Sequence, residues 1–177
     1  MKIRHYIISG VLIIADQLIK ILVYINFFDP HVHIEIIEGL LAICPYQNTH
    51  RGTIFQLFDY TAPVYIAVSL SLIVFVLFIV FYRYTTLCVF NWNKYRSLPM
   101  KIFSMGLAAF TCSIIDNAFW GGSIDFIRAF DTIIFDLKDI YAWIMVLFTI
   151  FYLVVWYVQY FKLPKEMRKE YSRSLIF

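Results

Sequence analysis

The sequence predicts an all-α membrane protein, a four-transmembrane-helix bundle with a small extracytoplasmic β-platform and a short surface helix. Three observations lead there. Of 177 residues, 62% are hydrophobic, 20% aromatic and only 15% charged, and the mean hydropathy is +0.74. A soluble domain carries roughly 25% charged residues, so this composition points to an integral membrane protein, with no nucleic-acid partner expected. The second observation is a set of four apolar stretches, each long enough to cross a bilayer at about 20 residues. The third is where lysine and arginine lie between those stretches.

The whole of 1–177 reads as one integral membrane domain. Its first span, about 5–28, follows the basic start MKIRH. The run is too long for a cleaved signal peptide, lacks a small-residue cleavage site, and holds Asp16 and Lys20. Residues 29–60 turn polar and mixed: Pro30, Gly39, Pro45 and Gly52 interrupt them, and HIEIIEGLLAI has the partial alternation and β-branched content of short strands. A small sheet or hairpin at the membrane surface is expected there. The second span, about 61–82, contains no charge and reads as plain anchor. A loop with Arg83, Lys94, Arg96 and Lys101 leads to the third span, about 102–120, and the fourth covers about 140–161. The segment 162–177 is a basic tail.

With four spans, the N-terminus, the middle loop and the tail share one side, and they hold most of the lysine and arginine. The other side has only Arg51, Arg128 and Lys138. The positive-inside rule then puts both termini in the cytoplasm. The β-platform and the connector between the third and fourth spans face outward together.

That connector carries Asp116, Asp125, Asp131, Asp136 and Asp139. Ionisable groups at a bilayer edge are costly and are functional candidates by default. Two carboxylates brought close together share a proton near neutral pH. Such a pair does acid–base work on water, the carboxylate taking a proton while the acid polarises a carbonyl. Helix caps, surface loop acids or a cation site are the competing readings. Asp16 and Lys20, four apart on one helix face, make either a structural ion pair or a direct part of the chemistry. His31 and His33 near Glu35 give a weak metal signal, better explained by a wet surface strand, and no HExxH or CxxC spacing occurs. Cys44, Cys88 and Cys112 are isolated and offer no disulfide framework. There is no GxSxG, Walker-type or dinucleotide-binding glycine pattern.

These residues resemble those of lipoprotein signal peptidase (signal peptidase II), an intramembrane aspartyl protease family. Its first-helix pattern Asp-Gln-x-x-Lys stands as Asp16, Gln17 and Lys20. Its Asn-x-Gly element resembles Asn48-Thr49 followed by Gly52-Thr53-Ile54-Phe55, with His50-Arg51 looking like an insertion. Its third-helix motif Gly-Asn-x-x-Asp-Arg stands as Cys112 to Asn117, followed at the family's spacing by Ser123-Ile124-Asp125-Phe126-Ile127. Its final Phe-Asn-x-Ala-Asp resembles Phe135-Asp136-Leu137-Lys138-Asp139. The departures are Ser113 for Asn, Asn117 for Arg, Asp136 for Asn and Lys138 for Ala, with Ala108 and Ala109 where glycines are expected.

The resemblance implies a catalytic dyad of Asp125 and Asp139. Asp16, Lys20, Asn48, Gly52, Asp116 and Asp136 would support and position substrate and dyad. It implies removal of signal peptides from diacylglyceryl-modified prolipoproteins, just before the lipidated cysteine, in a bacterial cytoplasmic membrane. No metal or cofactor is implied; the partners are prolipoprotein and membrane lipids, and the protein is expected to be a monomer. Asp136 adds an acid beside the dyad, which Lys138 could offset, and Arg128 or Arg51 could supply the cation lost at Asn117. The alternatives are a relative acting on another membrane peptide, motivated by those departures, and a non-catalytic lipoprotein- or lipid-binding membrane protein. A short amphipathic segment within Phe119 to Asp131 is expected along the outer surface, with Trp120 and Phe126 at headgroup level.

Overall fold

The computed structural model describes residues 3–27, 29, 32–51, 55, 58–89, 97–162, 164–166 and 168. Four helices are long and apolar enough to cross a membrane: α1 (Arg4–Phe27), α2 (Val64–Val89), α3 (Leu98–Ile115) and α4 (Leu137–Lys162). Each is almost wholly apolar around its circumference, as expected where lipid replaces water. Exposed residues such as Ile14, Leu77 and Leu147 form the outer surface.

The third helix is the axis of the bundle, and its composition explains why. Its span is much more buried than the other three, and its inward positions include Ser104, Gly106, Ala108, Ala109 and Cys112. Without a hydrophobic force between helices in lipid, small residues let backbones approach and gain dispersion contacts. A Cβ added at Gly106 would collide with the Phe78 ring of α2 and Met145 of α4. Near one end Phe78, Tyr82, Ile102, Phe103 and Tyr152 close a three-helix aromatic cluster. Toward the other, Ala108 and Ala109 pack with Leu12, Ile13 and Tyr141. Cys112 is buried and Cys44 half-buried, both as free thiols; the side chain of Cys88 lies outside the described part.

The sheet is antiparallel, ordered β1 (Ile34–Ile37), β2 (Leu41–Asn48), β3 (Ser123–Ala129) and β4 (Ile133–Phe135). β1 and β2 come from the stretch expected to form a platform, turning at Gly39, whose φ is +65°. β2 pairs with β3 in the register Ala42↔Arg128, Tyr46↔Asp125 and Asn48↔Ser123, with a bulge between Ile43 and Tyr46 that accommodates Pro45. Half the sheet therefore comes from the acidic connector.

This corrects one expectation. The segment from Phe119 to Asp131 is not a surface helix: a π-helical turn, Asp116–Trp120, ends α3, and β3 follows. Gly121-Gly122, at φ +71° and +148°, break the helix, and the alternation of SIDFIRA then suits a strand. Phe126 is also misplaced by the headgroup expectation. Strand alternation turns it and Ile124 inward against Val23 of α1, where both are buried.

Candidate active site

The same alternation that buries Ile124 and Phe126 sends Ser123 and Asp125 to the opposite face of β3. That face closes one side of a cavity of about 670 Å³ lined by Asn48, Arg51, Asp116, Asp125, Lys138 and Asp139 among polar groups. Its apolar lining comes from α2, α3, the end of the sheet and α4, including Leu70, Val74, Phe110, Ile134 and Trp143.

Three local devices aim these side chains. The π-helical turn widens the end of α3 and places Asp116 and Asn117 inward, both buried. A widened turn of this kind recurs at functional sites. The turn exits through Gly122, where any Cβ would run into the Asn48 carbonyl. β2 is thereby held against it, and Asn48 Nδ2 lies 3.4 Å from Asp125 Oδ2. The third device is the start of α4. Asp136 Oδ1 accepts from the Asp139 N–H at 3.1 Å, and Asp139 Oδ2 accepts from the Asp136 N–H at 3.3 Å. This reciprocal cap satisfies donors that a helix N-terminus leaves open. Capping, one of the competing readings of these acids, is thus realised alongside their place in the cavity.

Around the caps the charges form a dense network. Lys20 is fully buried and reaches Asp16 at 2.8 Å, Asp116 at 2.6 Å and Asp136 at 2.7 Å. Lys138 reaches Asp136 at 2.5 Å, Asp116 at 3.1 Å and Asp125 at 3.8 Å. Asp16 Oδ1 accepts the Lys138 backbone N–H at 3.1 Å, tying α1 to the start of α4. Gln17 donates to Asp116 at 3.1 Å and accepts from the Trp120 indole N–H at 3.1 Å. Ser123 donates to Asp136 at 2.9 Å. Burial would push the Asp136 carboxyl up, but Lys138 and Lys20 outweigh it and hold the group at about 2. Burial pushes Asp125 above the ordinary carboxylate range, with Lys138 opposing. One oxygen of Asp125, Oδ1, is buried with no hydrogen-bond partner. An acceptor left open in a dry site is costly unless water or substrate fills the role.

Carboxylate oxygens of Asp125, Asp136 and Asp139 lie within 4.8 Å of one another, as do those of Asp16, Asp116 and Asp136. Of the six residues expected to support the site, Asp16, Lys20, Asn48, Asp116 and Asp136 are in or against it; Gly52 lies outside the described residues. Asp131 is elsewhere, exposed at the β3–β4 turn beside Arg128 at 3.7 Å. Arg51 lines the cavity, but its guanidinium braces the Gly121 and Ala62 carbonyls. Neither arginine considered as a substitute for the cation lost at Asn117 pairs with the cavity acids among the described residues, whereas Lys138 reaches Asp136, the acid it was expected to offset. Asn117 itself turns to Ser71 of α2 at 3.5 Å. His33 pairs with Glu35 at 3.4 Å on an exposed edge, and His31 lies outside the described residues. Sequence reasoning missed Ser123, whose only signal was its place two residues before Asp125 on one strand face.

A helix bundle at whose edge a small sheet closes an acid-lined cavity defines a membrane protein with the architecture of an intramembrane peptidase. The chain belongs to the signal peptidase II family: the family model described as Signal peptidase (SPase) II matches residues 8–157. Two solved structures, both titled as bacterial membrane enzymes obtained by the in meso method, have the same fold. One, at 2.3 Å resolution, has a TM-score of 0.61 and 18% identity, covering 85% of this chain and 87% of that one. The other, at 1.9 Å, has a TM-score of 0.58 and 19% identity, covering 85% and 92%. No curated protein matches the sequence at a significant level. Family membership makes the chain a bacterial membrane aspartyl peptidase that processes lipoproteins, acting on their precursors in the bilayer.

Proposed function

We propose that Asp125 and Asp139 are the catalytic dyad of this peptidase, cutting the signal peptide just before the diacylglyceryl-modified cysteine. The observation that carries the assignment is the approach of their carboxylates, within 4.8 Å, on the wall of a cavity open to apolar surface. Water held between them loses a proton to the ionised carboxylate as its oxygen attacks the scissile carbonyl. The protonated partner donates to the developing oxyanion, and the intermediate collapses with cleavage of the C–N bond and proton transfer to the leaving amine. The buried, low-dielectric setting strengthens each of these interactions. The apolar lining suits acyl chains and the hydrophobic part of a signal peptide.

Asp16, Lys20, Asn48, Asp116 and Asp136 support that dyad by fixing the ends of α1, α3 and α4 around it. In this reading the protein acts as a monomer. Both termini face the cytoplasm in this reading, because the loops and ends on their side carry most of the lysine and arginine. The test is processing of a prolipoprotein in bacteria lacking their own signal peptidase II. The intact chain restores mature lipoprotein, and Asp125→Asn and Asp139→Asn do not. Processing that survives both substitutions removes the dyad assignment.

A further inference from the structure

The pair His50-Arg51, which reads as an insertion in the Asn-x-Gly element, has no part in the chemistry above. His50 approaches Asp59 at 3.9 Å and is not in the cavity wall. Arg51 is in that wall, half-buried. Its backbone sits in the left-handed region at φ +64°, a conformation costly for any residue with a Cβ. Such strain persists where the surroundings fix it, and it clusters at active sites and ligand clamps. Here the side chain is fixed at two points. Nε donates to the Gly121 carbonyl at 3.1 Å and Nη1 to the Ala62 carbonyl. The planar fork is thus held between the exit of the π-helical turn and the segment that leads into α2.

A guanidinium carries five N–H donors, and these carbonyls leave some of them open. They also leave the charge unbalanced, since among the described residues no carboxylate pairs with Arg51. The other cation in the wall, Lys138, is engaged by Asp136 and Asp116. Resting on the peptidase reading above, we propose that Arg51 is a substrate-binding residue whose open N–H groups hold a carbonyl oxygen of the lipoprotein precursor next to the cleavage site. Its distance from the chemistry suits that role. Arg51 follows Asn48 by three residues, which span at most roughly 10 Å, and Asn48 lies 3.4 Å from Asp125. A chain bound across the dyad therefore passes the fork within a few residues of the cut. The same cavity holds Asp116, Asp125 and Asp139, so an acidic side chain would meet repulsion there, whereas a neutral carbonyl meets none. A lipidated precursor offers two sources of that acceptor, its backbone carbonyls and the ester carbonyls of its diacylglyceryl group.

An interaction made equally in the ground state and the transition state raises KM when it is lost and leaves kcat in place. Cleavage of a synthetic diacylated lipopeptide by the detergent-purified full chain separates the two constants. Arg51→Gln raises KM by about 10- to 100-fold, as for a lost hydrogen bond to a charged group, with kcat near wild type. A KM that does not move overturns the inference, whatever kcat does, because bracing of Gly121 and Ala62 is then the whole role of Arg51.

Substrate analogues then separate contact from distortion of the cavity, as a double-mutant cycle does. One analogue replaces the glyceryl esters by ethers and keeps the chains. Others replace a single backbone amide near the scissile bond by an ester, whose carbonyl is a weaker acceptor. A KM penalty of Arg51→Gln that vanishes on the ether analogue places the lipid's ester carbonyl on Arg51. A penalty that shrinks on one backbone-ester analogue places that backbone carbonyl there instead. A penalty undiminished on every analogue overturns the inference. Where Arg51→Gln does not fold, Arg51→Lys carries the same cycle, since it keeps the charge and gives up the planar fork. Wild type that does not cut at all overturns the peptidase reading instead, so the two failures are distinct.

Discussion

Replacing Lys20 by methionine is the sharpest test of what holds the bundle together. Methionine keeps an unbranched stem of comparable reach and deletes the ammonium. Lys20 is fully buried and is the common partner of Asp16, Asp116 and Asp136, each within 2.8 Å. Its loss leaves those acids facing one another with Lys138 as the remaining nearby cation. Removing one member of a buried ion pair costs about 3–5 kcal/mol. Protonation of one of the acids limits the loss rather than abolishing it, since a buried carboxyl neutralises in preference to staying unpaired. For a chain of this size each kcal/mol moves the midpoint by about 2–4 °C, so the expected fall in Tm is about 6–20 °C. The assay is thermal unfolding in detergent, with Arg128→Met as comparison. Arg128 pairs with Asp131 at 3.7 Å on the exposed β3–β4 turn, where a pair is worth at most about 1 kcal/mol. Equal midpoints for the two variants would refute the view that the Lys20 network, rather than lipid-facing apolar contact alone, fastens the helices.

Two further predictions follow from the same geometry. Gly122→Ala places a Cβ against the Asn48 carbonyl at a backbone φ of +148°. It should cost about 1–3 kcal/mol and weaken lipopeptide cleavage by moving Asn48 from Asp125; unchanged Tm and kcat/KM would show that the contact relaxes freely. Asp136 is held at about 2, below its ordinary 3.8, so its contribution of about 2 kcal/mol is present above pH 4 and lost as pH falls toward 2. The stability difference between wild type and Asp136→Asn should shrink across that range, and a difference constant with pH contradicts the assignment.

Much of the bundle was legible because lipid imposes a simple rule: a helix surrounded by hydrocarbon must be apolar on every side. The runs around Val11, Val74, Phe110 and Leu147 state that directly. β3 was harder to read. Its sequence SIDFIRA has strand alternation, but its aromatic and charged residues also suit an amphipathic surface helix. The choice is made by β2, nearly 80 residues away, which offers a partner edge and fixes the register Tyr46↔Asp125. The site was legible in its acids and in the Asp16–Lys20 spacing. The offset of Asp136 by Lys138 was legible too, but the reach of Lys138 to Asp116 was not. At the start of a helix its ammonium could fold toward solvent, and the packing of α1 against α4 turns it to Asp116 and Asp136. The signal available was electrostatic: a single lysine amid five aspartates on a connector that the membrane edge makes costly to charge.

The measurement that addresses the central claim most directly is single-turnover cleavage of a diacylated lipopeptide by purified wild type, Asp125→Asn and Asp139→Asn. Circular dichroism on each confirms retained helix. The account predicts cleavage before the lipidated cysteine by wild type, and a rate reduced by at least about 100-fold, the lower range for a lost acid–base group, in each variant. Two folded variants cutting at the wild-type rate would contradict it and move the chemistry away from the Asp125–Asp139 pair.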